Sequence, residues 1–79
     1  MKVVFTGWTL KGLFQYYTNM RQFQKESEEA LINRAVKKIW GKNCFWLVDI
    51  DLGLYYGNVC NSSKKDCRVT SRMSISFKY

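Results

Sequence analysis

The chain has no histidine, no proline, only six acidic residues and three cysteines. Each shortage closes off a class of function. Without histidine, Ser–His and Cys–His nucleophile pairs cannot form. The thiols, Cys44, Cys60 and Cys67, are too few for an all-cysteine zinc site within one chain. No cofactor and no metal are therefore expected. Cys60 and Cys67 flank an expected turn and could face each other across a hairpin, but reduced, partly buried thiols in a reducing cytosol are the favoured reading. No apolar run reaches the roughly 18 residues of a spanning helix, so no membrane partner is expected. The opening MKVVFTGWTLKG lacks a continuous apolar h-region and a small-residue cleavage site, which makes the cytoplasm of whatever cell produces the chain the expected location. Gly7, Gly12, Gly41, Gly53 and Gly57 are scattered, not gathered into a phosphate-cradling loop. Asp49 and Asp51, at i and i+2, share one side of an extended strand. A paired acid/base site is conceivable there, and the polar end of a strand entering a turn at Gly53 is the simpler reading. Together these shortages point to a binder and not an enzyme.

What is present is charge and aromatic surface. Thirteen Lys+Arg against six Asp+Glu give a formal net charge of +7, and three Trp, five Tyr and five Phe lie in 79 residues. Such a charge favours nucleic acid or an acidic protein surface as partner. Residues 1–79 are read as one domain, and a core of this size rarely supplies more than about 3–5 kcal/mol of net stability. Large aromatic side chains let a chain this short bury enough area to fold.

The surest element is the helix between Ser27 and Gly41. Leu31, Ile32, Ala35, Val36, Ile39 and Trp40 recur at the i, i+3, i+4 spacing of one helix face. Ser27 is the expected N-cap, Glu28 and Glu29 suit the positive end of the dipole, and Lys37, Lys38 and Lys42 the negative end. Gly41 marks the stop. Around it, Lys2–Trp8 reads as a strand, Lys11-Gly12 as a tight turn, and Leu13–Met20 as a strand pairing back on the first. Cys44–Ile50 is apolar on both alternating faces, the pattern of a central strand covered on both sides. Leu54–Cys60 returns antiparallel, with Gly57 marking a bulge or a close backbone approach. Asn61–Asp66 is a loop. In Arg68–Tyr79, Val69, Met73, Ile75, Phe77 and Tyr79 share one face, with Ser71 breaking the alternation. The expected class is α+β, a single helix packed on an antiparallel sheet in the order β-β-α-β-β-β.

The segment Lys2-Val3-Val4-Phe5-Thr6-Gly7-Trp8 resembles the start of the Dmd antitoxins of large tailed bacteriophages, where a K-V-V-F-x-G-W segment forms the first strand. A second strand, a helix and a third strand follow in that family. The chain repeats this order through Leu13–Met20, the helix with its Ala35-Val36-Lys37-Lys38, and Cys44–Asp49. The resemblance covers about two-thirds of the chain, and only the first seven residues of it are close in letters. It implies a phage-encoded inhibitor that binds and blocks a host ribonuclease toxin. Residues 51–79 have no counterpart there, and a net charge of +7 is more basic than the family leads one to expect.

Two basic clusters and one aromatic set are the candidate site residues. Arg34, Lys37, Lys38 and Lys42 lie on the polar helix side and just beyond it. Lys64, Lys65, Arg68 and Arg72 run from the loop onto the last strand, Arg68 and Arg72 pointing the same way because they are two i+2 steps apart. One helix covers one face of a sheet, so Trp8, Tyr16, Tyr55 and Tyr56, with Trp46, are candidates for an uncovered face that stacks on unpaired bases. The same aromatics could instead be hot spots for a protein partner or a homodimer. The expected function is inhibition of an endoribonuclease toxin with RNA contributing to the complex. The alternatives are a general RNA- or DNA-binding module and a protein-only inhibitor docking on an acidic surface.

Overall fold

The computed structural model describes residues 1–65 and 72–79. Five strands and one helix appear in the expected β-β-α-β-β-β order: β1 (Lys2–Thr9), β2 (Gly12–Asn19), α1 (Glu28–Trp40), β3 (Cys44–Asp49), β4 (Gly53–Asn61) and β5 (Met73–Lys78). The class is α+β, with one helix on a five-stranded antiparallel sheet. The β1–β2 turn falls one residue earlier than expected, on Leu10-Lys11, since Thr9 pairs with Gly12.

Local chemistry sets the helix ends as the sequence suggests. The Ser27 hydroxyl accepts from the Ala30 N–H at 3.1 Å, and the Gly41 N–H donates to the Lys37 carbonyl at 3.0 Å. Leu31, Ile32, Ala35 and Val36 are buried, while Ile39 and Trp40 are half-buried at the end of the stripe. Burying a Val, Leu or Ile side chain contributes about 1.5–3 kcal/mol, so this stripe holds the helix to the sheet. Its counterpart is one face of the sheet: Val3 and Phe5 of β1, Met73 and Ile75 of β5, Val59 of β4, and Cys44 and Trp46 of β3.

Strand order departs from expectation in one respect. The sheet runs β2-β1-β5-β4-β3, so β3, expected in the centre, is an edge strand, and β5 takes the centre by pairing with both β1 and β4. The two-sided apolar pattern of β3 has another cause. Trp46 and Cys44 point into the core, Leu47 on the other face stays exposed, and the outer edge is covered by the helix instead of a strand. Asn33 Oδ1 accepts from the Trp46 backbone N–H at 2.9 Å, and Lys37 Nζ donates to the Cys44 carbonyl at 3.0 Å. At the opposite edge Lys38 Nζ donates to the Asn19 carbonyl of β2 at 3.0 Å. One helix thus reaches both edge strands, so the sheet curls around it. Edge groups paired in this way are withdrawn from pairing with another chain.

Candidate nucleic-acid interface

The curl leaves the sheet with a covered inner face and an open outer face. Alternation along each strand and the pairing register assign the residues. Phe5 pairs with Tyr16 and Ile75, so these share the inner face; Thr6 pairs with Gln15 and Ser74 on the outer one. Trp8, Leu13 and Tyr17 follow Thr6 and Gln15 outward, and Tyr56, paired with Ser74, joins them from β4. Trp8 is 68% exposed, Tyr17 59% and Tyr56 42%. Val4 and Cys60 are buried on this face, and Leu47 extends it across β3.

Of the four aromatics singled out in the sequence, Trp8 and Tyr56 lie on the open face and Tyr16 and Tyr55 do not. Tyr16 packs edge-on against Trp40 of the helix, ring centroids 5.2 Å apart, and Tyr55 against Phe77 at 6.0 Å. The Tyr55 hydroxyl donates to Glu28 in the first helical turn. Trp46 is core, its indole N–H donating to the Leu54 carbonyl at 2.8 Å. Tyr17, which sequence reasoning missed, was within its reach. Any two-residue turn in the first hairpin pairs even-numbered residues of β1 with odd-numbered residues of β2, putting Tyr17, not Tyr16, beside Trp8's face.

The cations divide as well. Arg72 lies on the open side, its Nε 3.3 Å from Asp49 Oδ2. Together with Trp8 and Tyr56 it rims a shallow depression of about 220 Å³, with Thr6 and Ser74 in its lining. Lys2 and Lys78, cross-strand partners on the same face, are two further cations that the sequence reading did not single out. Lys2 Nζ stands 4.8 Å from the Tyr17 ring centroid. Lys64 and Lys65 are exposed in the turn after β4, whose backbone Asn61 Oδ1 holds by accepting from Ser63 and Lys64 N–H groups. Arg68 lies outside the described residues, as do Asp66, Cys67, Val69 and Ser71.

The helix cluster is engaged in structural contacts. Lys37 and Lys38 hold strand carbonyls, as described above, and Lys42 is exposed past the helix end. Arg34 forms a two-pronged pair with Glu26, Nε–Oε2 2.6 Å and Nη2–Oε1 2.8 Å, donates to the Arg21 carbonyl at 2.6 Å, and lies 4.3 Å from the Phe23 ring centroid. This clasp closes the β2–α1 connection, since position 34 points back along the helix toward the chain that leads into it.

Asp49 completes a turn. Its Oδ1 accepts from the Asp51 and Leu52 N–H groups, both at 2.9 Å. Those two bonds, with a smaller contribution from Arg72, hold its carboxyl below the usual range, and Arg34's hydrogen bond does the same for Glu26. The consequence for stability has a definite sign. A depressed carboxylate stabilises the fold above its unfolded value, about 4, and the contribution is lost as pH falls through the folded value. The urea midpoint is therefore expected to stay level from neutral pH down to about 5 and to drop below about 4. Glu26→Gln should flatten that acid limb, and an unchanged limb would remove the clasp from the account. Tyr55 acts at the other extreme. Its bond to Glu28 raises its pKa above 10.0, so its contribution is lost only as pH rises past that value.

Among the described residues, no three or more Cys, Asp or Glu gather as a metal site, and no helix is long and apolar enough to cross a membrane. Comparison with protein families, curated proteins and solved structures finds no match to this chain.

Proposed function

We propose that this chain is a binding protein and not an enzyme: a small phage-type antitoxin that binds and inhibits a host endoribonuclease toxin in the host cytoplasm, with RNA contributing to the inhibited complex. The observation that carries the reading is the open sheet face. Trp8, Tyr17 and Tyr56 stand exposed there among Lys2, Arg72 and Lys78, with Arg72 already meeting the carboxylate of Asp49. A surface of this kind recognises an anionic, aromatic ligand, and RNA is both. The toxin target is supported by the resemblance of Lys2–Trp8, and of the strand–strand–helix–strand order, to the Dmd antitoxins.

The test is co-expression with candidate endoribonuclease toxins, scored by cell survival, followed by ribonuclease treatment of any complex that co-purifies. Rescue together with a complex that falls apart on treatment is the expected result. A complex that resists treatment points to protein-only inhibition, in which exposed Leu13 and Leu47 beside the aromatics supply the contact. Failure to rescue growth against any ribonuclease toxin leaves a general nucleic-acid-binding module instead.

A further inference from the structure

Two features of the open face lie too far apart to serve one small ligand. At one end is the depression rimmed by Trp8, Tyr56 and Arg72. At the other, Lys2 and Lys78 sit directly opposite one another on paired strands and line a second depression of about 330 Å³. Like charges placed so repel one another. At roughly 3.3 Å per residue the two ends are about 20 Å apart along β1.

We propose that this face is a track for single-stranded RNA, with one unpaired base seated between Trp8 and Tyr56 under Arg72, and backbone phosphates held by Lys2 and Lys78. The inference deepens the RNA part of the function proposed above and rests on it. Trp8 on β1 and Tyr56 on β4 are separated by β5, two strand spacings or about 10 Å, so their rings flank a gap instead of touching. Several aromatics of the covered face are held in ring pairs, Phe5 and Tyr16 with Trp40 and Tyr55 with Phe77. Trp8 and Tyr56 have no such ring partner among the described residues. An inserted base supplies the missing faces. Arg72, its side chain 62% exposed, meets the largely covered Asp49 through one contact of 3.3 Å; with the cation so solvated the pair contributes little, so the guanidinium can turn to a base or phosphate. A duplex offers only base edges and cannot fill the gap, and Thr6, whose Oγ1 accepts from Gln15 Nε2 at 3.2 Å and keeps its own proton to donate, lines the depression with Ser74, so a ribose 2′-OH would find hydroxyl partners there.

The experiment titrates purified protein, with no toxin present, against labelled single-stranded RNA, the same sequence as DNA, and the RNA duplex, by fluorescence anisotropy at several salt concentrations. Single-stranded RNA should bind tightest, with a slope of log affinity on log salt of about −1.4 for two phosphate contacts at about −0.7 each. Trp8→Ala should weaken binding at least about fivefold. Trp8→Phe should keep the affinity and lose the quenching of tryptophan emission, a signature that a structural role for Trp8 does not produce. Lys2→Ala with Lys78→Ala should weaken binding and reduce the salt slope, whereas Lys25→Gly, in the loop before the helix where φ is already +67°, should change neither. Circular dichroism melts confirm that each variant is folded. Equal affinity of Trp8→Ala and the parent protein, or tighter binding of duplex or DNA, overturns the inference. Toxin rescue without RNA binding overturns this inference and the RNA part of the proposed function while leaving the antitoxin part standing, and RNA binding without rescue overturns the antitoxin part alone.

Discussion

Phe5→Ala is expected to leave the chain largely unfolded at room temperature. The side chain is fully buried in the middle of β1, and its ring lies 5.2 Å from Trp40 at the helix end and 5.5 Å from Trp46 on β3. It therefore joins the β1 half of the sheet, the helix and the far edge strand at one point. Truncating a buried Phe to Ala costs about 3–5 kcal/mol, because the lost transfer energy is compounded by a cavity that rigid neighbours cannot close. A domain of this size has only about 3–5 kcal/mol to lose. Far-ultraviolet circular dichroism and amide chemical-shift dispersion should both collapse, while Phe5→Leu, which refills much of the volume, should stay folded with a lower urea midpoint. A Phe5→Ala protein that melts like the parent would mean that the three-ring contact is not what holds the sheet to the helix.

The second large effect is expected at Gly57, where no side chain fits. A Cβ there would lie 2.1 Å from the Leu47 carbonyl oxygen and 3.2 Å from the Trp46 ring. The obstacle is backbone of the neighbouring strand, which cannot rotate aside. Relief requires β3 and β4 to part beside the register shift between Val48 and Asp49. Gly57→Ala should cost about 2–3 kcal/mol, at the upper end of overpacking effects. It should also displace the adjacent Tyr56, so the proposed RNA binding and the stability should fall together. Gly7→Ala is the comparison. Its Cβ meets only the tip of the Phe14 ring at 2.3 Å, and a side chain at an edge strand can swing away. Equal urea midpoints for the two variants would contradict this contrast.

The edge position of β3 and the engagement of the helix lysines bear on how the site is made. Because Asn33, Lys37 and Lys38 hold the groups at both sheet edges, the helix takes up the cations that its polar face seemed to offer to a ligand. The proposed binding therefore falls to the outer face, whose cations among the described residues include Lys2, Arg72 and Lys78, from the first and last parts of the chain. In the sequence Arg72 belongs to the loop-and-strand cluster, whereas Lys2 and Lys78 stand at opposite ends of the chain. Only the pairing of β1 with β5 makes neighbours of Lys2 and Lys78.

By itself the sequence determined the helix with its Ser27 and Gly41 ends, the α+β class, the element order, and the alternation that sorts Met73, Ile75 and Phe77 to one side. These depend on local periodicity, capping and glycine placement, all of which act within a few residues. It also carried the close approach at Gly57, which a strand tolerates only for a reason. The tertiary structure decided that β5 enters between β1 and β4, that β3 lies at an edge, and that Trp8 and Tyr56 face outward while Tyr16 and Tyr55 face the helix. Strand order depends on contacts between residues some 70 positions apart, and no local pattern encodes which strand a distant segment will join. An apolar residue shows only that it has a face to bury, and the partner that covers it is chosen by the whole chain.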